Sequence, residues 1–133
     1  MRILITNDDG YRAEGINTLF RVLSERHEVV MIAPDGERSA CSNAITITSN
    51  LRLRCHGEGI WSVSGYPADC TNIGLHGTVA PKADLVISGI NHGPNMGDDI
   101  YYSGTVAGAR AAFIQGTRAI AVSYDSFESY AYL

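Results

Sequence analysis

Four short runs of apolar, largely β-branched residues punctuate the chain: "RILITN" (2–7), "HEVVMIAP" (27–34), "ADLVISGIN" (83–91) and "RAIAVSY" (118–124). Continuous hydrophobicity over so few residues predicts strands covered on both faces. Segments with helical spacing lie between them. Ile16, Leu19, Phe20 and Leu23 recur at i, i+3, i+4 and i+7, which predicts an amphipathic helix after a loop at Gly10. Val106, Ala109 and Phe113 repeat at i, i+3 and i+7 within "TVAGARAAFIQG" (105–116), a helix of small residues stopped by Gly116. Pro67 suits the first position of a shorter helix running to about residue 77. "IWSVSG" (60–65) reads as a further strand. "AITITSNLRLRC" (44–55) alternates instead, offset around Ser49-Asn50, and predicts a half-exposed strand or ribbon.

Buried strands alternating with helices imply an α/β fold, a doubly wound and mostly parallel sheet with helices on both faces. A length of 133 residues supports one domain with a real core. That domain is expected over residues 1–124. "DSFESYAYL" (125–133) has no clear period, and no covering helix follows the last strand. It therefore reads as the start of a further region of a longer, truncated chain.

Composition narrows the function classes. Apolar residues make up 45% and charged residues 18%, the balance of an ordinary soluble domain. No apolar run is long enough to span a membrane. Met1-Arg2 leads straight into a strand without signal-peptide architecture, so a cytoplasmic location is expected. The net charge is −4, and Lys82 is the single lysine among ten basic residues. Without a basic stripe, binding to a nucleic-acid polymer is not expected. Cys41, Cys55 and Cys70 match neither a zinc knuckle nor a disulfide framework, and read as reduced thiols.

The chemistry gathers in the loops that leave the predicted strands. The first offers Asn7, Asp8 and Asp9; the second Asp35, Ser39, Ser42 and Asn43; the third Ser88, Asn91, Asn95, Asp98 and Asp99. Oxygen donors without thiolates or clustered imidazoles select hard divalent ions, at about 2.0–2.6 Å. Adjacent carboxylates repel unless a cation sits between them. Either Asp8 or Asp9 would suffice to cap the next helix, whose apolar face begins only at Ile16, so a metal site is the better reading. In "YSGTVAGARAA" (102–112), Ser103, Gly104 and Thr105 open a helix of small residues. Such a terminus binds anions, phosphate above all, although a plain Ser or Thr cap explains the same residues.

No G-x-G-x-x-G, P-loop or G-x-S-x-G motif occurs, which argues against dinucleotide binding, P-loop NTPase activity and the nucleophile elbow. His92, beside Asn91, is placed to reach a leaving group, though a single loop histidine is ordinarily solvated. Tyr101 and Tyr102 suit a ring-binding wall or simple packing. Arg38 and Arg110 suit either a phosphate or solvent.

Taken together, "MRILITNDDG", "APDGERSACSNAIT", "GYPADC" and "SGINHGPNMGDDIYYSGTVAGA" resemble the SurE family of metal-dependent nucleotidases and acid phosphatases. The match keeps the family's order from Met1 to about Ser123. The resemblance implies a Rossmann-like domain that hydrolyses nucleoside 5′- and 3′-monophosphates, with some members acting on short polyphosphate. It puts the ligands of one divalent cation per subunit, Mg²⁺ or Mn²⁺ with Ca²⁺ as a substitute, on Asp8, Asp9, Ser39 and Asn91. Phosphate contacts fall on Asn43, Asn95, Ser103, Gly104 and Thr105. Family chains continue through a second half used in oligomerisation, so a homo-oligomer, dimer or tetramer, is expected of the full-length protein.

The expected chemistry is hydrolysis by a metal-activated water, with Asp8 and Asp9 as catalytic residues. A phospho-aspartate route through Asp9, as in a receiver-like domain, is the alternative. It is disfavoured because Lys82 precedes a strand instead of ending one. A non-catalytic nucleotide- or metal-binding fragment is the second alternative.

Overall fold

The computed structural model of the chain describes residues 1–128. The elements in chain order are β1 (Arg2–Thr6), α1 (Glu14–Ser24), β2 (Glu28–Pro34), β3 (Leu53–Gly57), β4 (Ile60–Val63), α2 (Pro67–His76), β5 (Leu85–His92), α3 (Asp99–Tyr102), α4 (Gly104–Ile114) and β6 (Ala119–Tyr124). They build a six-stranded sheet in the order β3-β4-β2-β1-β5-β6. Every neighbouring pair is parallel except β3–β4, an antiparallel ribbon at one edge. The expected doubly wound, Rossmann-like architecture is therefore observed.

β1 sits in the middle, and its alternation feeds two cores. Ile3 and Ile5 face one side with Ile16, Val29 and Met31, where the predicted stripe of α1 supplies Leu19, Phe20 and Leu23. Leu4 faces the other side with Ile32, Val63 and Val86, against Cys70 and Ile73 of α2 and Ala112 of α4. Each large aliphatic side chain so buried contributes roughly 1.5–3 kcal/mol. Helices consequently cover both faces, as the uninterrupted apolar runs required. Helix α4 lies unusually close to the sheet, because a Cβ on Gly108 would stand 2.7 Å from Ser88 Oγ and 2.9 Å from Thr6 Cγ2.

Two elements differ from expectation. The ribbon expected over 44–55 is a strand only from Leu53 onward, and every residue of β3 is exposed. Upstream, the Thr46 N–H and hydroxyl donate to the Asp69 carboxylate at 3.0 and 2.8 Å, so a side chain takes the place of a strand partner. The loop after β5 holds an unforeseen one-turn helix, α3. Among the described residues no helix is long and apolar enough to cross a membrane. The three cysteines are unpaired. Of the region expected at 125–133, residues 129–133 lie outside those described.

Candidate active site

The adjacent central strands β2, β1 and β5 end on the same side of the sheet, and their loops meet there. This is where open α/β sheets collect ligands. The first loop is built by Asn7, which is fully buried. Its Nδ2 donates to the Gly10 carbonyl at 2.8 Å, and the Gly10 N–H donates back to Oδ1 at 3.1 Å. Gly10 has φ +101°, and a Cβ there would stand 3.2 Å from the Gly36 backbone, so the turn requires glycine. Strand β1 stops at Thr6, so the two-face alternation no longer separates Asp8 from Asp9.

Neither carboxylate caps α1, whose N-cap is Ala13 without a side-chain cap bond. Asp8 is 4% exposed and accepts the Thr105 hydroxyl on Oδ1 at 2.8 Å. Its carbonyl accepts the Arg38 N–H at 2.6 Å, which ties the second loop to the first. Asp9 accepts the His92 N–H on Oδ2 at 3.0 Å, which ties in the third. Among the described residues no other residue donates to Asp8 Oδ2 or Asp9 Oδ1.

Burial pushes the Asp8 carboxyl up to about pKa 6, aided by the charges of Asp9 and Glu37 and opposed by the Thr105 bond. Asp9 is also raised, first by burial and then by Glu37, against the His92 N–H. Neither of the two ion pairs among the described residues, Arg2–Asp84 and Arg38–Asp35, includes Asp8 or Asp9, although the charge of His92 acts favourably on Asp9. Cys41, close by, stays a neutral thiol because burial and the Asp8 charge push its pKa up.

A cleft of about 340 Å³ opens here, lined by Asp8, Ser39, Asn91, Asn95 and Ser103 among the expected residues. Ser39 Oγ donates to Glu37 Oε1 at 2.8 Å, which leaves its lone pairs available. Asn91 uses Nδ2 on the Gly93 carbonyl at 3.0 Å, leaving Oδ1 with no donor among the described residues. Ser103 is the N-cap of α4, its hydroxyl accepting the Val106 N–H at 3.1 Å. The Gly104 and Thr105 N–H groups then have no acceptor within the helix. Gly104 must be glycine, since a Cβ would stand 2.6 Å from Cys41 Sγ and 2.8 Å from Asp8 Cβ.

Two expected residues are engaged elsewhere. Asn95 Nδ2 donates to Ser123 Oγ at 2.6 Å, although Asn95 still lines the cleft. Asn43 is exposed, accepts Arg110 Nη1 at 2.8 Å and lines a neighbouring pocket instead. Arg38 is held by Asp35 at 2.8 Å. The His92 ring donates from Nε2 to the Glu128 carbonyl at 3.2 Å, while its main chain positions Asp9. Tyr101 and Tyr102 are largely exposed, and only Tyr102 lines the cleft.

Sequence reasoning missed Glu37, whose charge acts on both carboxylates, and Phe127, which lines the cleft. Glu37 gave a usable signal, standing two residues before Ser39 in the second loop. Phe127 gave none.

The family model described as survival protein SurE matches residues 3–132. The chain belongs to the SurE family. It is 51% identical over 126 residues to the 5′/3′-nucleotidase SurE of Proteus mirabilis, covering 94% of this chain and 50% of that one. It is 47% identical over 137 residues to the 5′-nucleotidase SurE of Desulfitobacterium hafniense, covering 99% and 54%. The crystal structure of the SurE protein from Aquifex aeolicus superimposes with a TM-score of 0.91 at 42% identity, over 96% of this chain and 52% of that one. The chain spans about half the length of the curated SurE relatives it matches.

Proposed function

We propose that the protein is a divalent-cation-dependent nucleotidase that hydrolyses nucleoside 5′- and 3′-monophosphates to nucleoside and phosphate. One observation carries this reading. The buried Asp8 carboxylate, with Asp9 next to it in the chain and neither in an ion pair, lines a cleft together with the Ser39 hydroxyl, the Asn91 carboxamide and Ser103 at the N-terminus of α4. The nucleotidase names of the half-matched relatives agree with it. Residues 1–124 are taken as the domain that carries the chemistry.

The donor set fits a hard ion. Asp8 Oδ2, Asp9 Oδ1, Asn91 Oδ1 and Ser39 Oγ are oxygens with accepting capacity left, and the nearby thiol is neutral. Mg²⁺ or Mn²⁺ is the expected cation, with Ca²⁺ as a substitute. Such an ion neutralises phosphoryl charge and lowers the pKa of a bound water.

The chain's own residues do the rest. The Gly104 and Thr105 N–H groups and the α4 dipole stabilise phosphoryl oxygens. Thr105 and the His92 N–H fix the two carboxylates, so that Asp8 Oδ2 and Asp9 Oδ1 are the oxygens that would hold the ion. Whichever of Asp8 and Asp9 is held less tightly orients or deprotonates the attacking water. Asn43 and Asn95 contact phosphate in this reading once their Arg110 and Ser123 bonds exchange. A homo-oligomer, dimer or tetramer, and a cytoplasmic location belong to the same proposal.

The test is phosphate release from AMP and GMP with and without Mn²⁺ or Mg²⁺, with Asp8→Asn and Asp9→Asn alongside. Metal-dependent release that both substitutions abolish is expected. Release that ignores the metal, or survives both substitutions, overturns the reading.

A further inference from the structure

The "LRLRCH" stretch (51–56) plays no part in the cleft, yet its alternation has a consequence. Residues at i, i+2 and i+4 share one face of an extended chain. Arg52, Arg54 and His56 are so spaced, and all three line one cavity of about 160 Å³ with Tyr11, Arg12, Asp35 and Ser62. In a chain of net charge −4, three of the nine arginines open onto this single pocket.

Its walls are built. The Tyr11 and His56 rings stack with centroids 4.1 Å apart and planes 17° from parallel. His56 Nε2 is hydrogen-bonded to Ser62 Oγ at 2.7 Å, and Ser62 is 4% exposed. Ser62 faces Arg54 across the β3–β4 ribbon. Arg12 stands over the Tyr11 ring, its Cζ 5.1 Å from the centroid. The one acidic wall residue, Asp35, is already paired with Arg38 at 2.8 Å. Among the described residues, the guanidinium groups of Arg12, Arg52 and Arg54 have neither an ion pair nor a hydrogen bond. Charged side chains on an edge strand also deter strand addition. That role needs neither Arg12, which lies in another loop, nor a cavity.

We propose that Arg12, Arg52, Arg54 and His56 form a second oxyanion pocket, separate from the carboxylate cleft, that binds a phosphoryl group. Guanidinium forks match the geometry of tetrahedral, multiply charged oxyanions, and three of them exceed what a single carboxylate needs. The pocket and the cleft are joined structurally by Arg38, through its backbone and not through the Asp8 carboxylate. Asp35 holds the Arg38 side chain, and the Arg38 N–H holds the Asp8 carbonyl. The phosphoryl group comes either as free inorganic phosphate or esterified on a nucleotide.

The test titrates inorganic phosphate, and separately AMP, into the protein stripped of metal on a chelating resin. Calorimetry gives affinity, and amide shifts give location. One equivalent of phosphate is expected to bind, shifting Tyr11, His56 and Ser62 and weakening as NaCl is added. Arg52→Gln/Arg54→Gln is expected to weaken it by about tenfold or more, and Asp8→Asn to leave it unchanged. Arg12→Gln serves as the second variant if the edge-strand pair aggregates. Tighter binding of inorganic phosphate identifies the free ion as the ligand, and tighter binding of AMP identifies the ester; both support the pocket. Binding unchanged by the arginine substitutions, shifts confined to residues 8, 91 and 103–105, or no binding of either probe overturns it. Because the measurement is metal-free and does not involve turnover, its outcome is independent of the nucleotidase reading.

Discussion

Asp8→Asn should make the metal-free protein more stable while abolishing its activity. A carboxyl whose pKa stands at about 6 instead of 3.8 costs about 3 kcal/mol when it is ionised in the folded state. The amide is isosteric, carries no charge and still offers an oxygen to the Thr105 hydroxyl, so most of that cost is recovered. The sign follows from proton uptake. The folded protein keeps this proton to higher pH than the unfolded chain, so wild-type stability falls as pH rises from about 4 to about 6 and is then flat. The variant lacks this step. Urea unfolding of both proteins without metal, at pH 4, 5, 6 and 7.5, measures the difference directly. It should be smallest at pH 4 and reach roughly 2–3 kcal/mol in favour of the variant at pH 7.5. Adding Mg²⁺ should largely cancel the difference, since binding at about 100 times Kd stabilises by roughly 2.7 kcal/mol and the variant lacks one of the proposed ligands. A variant less stable than wild type at pH 7.5 without metal, or a difference independent of pH, would refute the electrostatic argument.

Three further outcomes are expected. Gly104→Ala forces a Cβ to within 2.6–2.8 Å of Cys41 and Asp8, so it should cost about 1–3 kcal/mol in thermal unfolding and most of the phosphatase activity. Thr105→Val removes the bond that opposes burial at Asp8; the acidic limb of the kcat/KM profile should move to higher pH, read from rates between pH 5 and 8. Asn7→Ala takes both bonds from the Gly10 turn and should destabilise by roughly 1–3 kcal/mol in urea, with weaker metal affinity by calorimetry.

The strand cores were legible because Ile3, Leu4 and Ile5 need cover on both faces, and only flanking helices supply it. The helix of small residues was legible from its composition, and its Ser103 cap from residue type. The 44–52 stretch was not, because a period of two records which side chains are apolar and says nothing of where the backbone bonds. Its partner, Asp69, lies 23 residues on from Thr46. The carboxylate pair announced a site by its chemistry alone. What completes it is a main-chain N–H at His92, 83 residues from Asp9, and a backbone donor carries no mark in a sequence. Asn43 shows the converse: a side chain of suitable type whose Arg110 bond turns it towards another pocket.

Gly104 and Gly108 stand one turn apart on the face of α4 that meets Asp8, Thr6 and Ser88. With no Cβ at these two positions, the helix backbone meets the side chains of Asp8, Thr6 and Ser88 directly, and neither can slide without collision. The contact works as a bearing with no clearance. Any movement that admits a substrate or releases a product must therefore fall to the 36–45 and 93–98 loops, with α4 as the fixed jaw. Timescale-resolved measurements should find the Thr105 amide quiet and the Ala40 and Met96 amides active, because the α4 end of the site is anchored and the opposite wall hangs on turns.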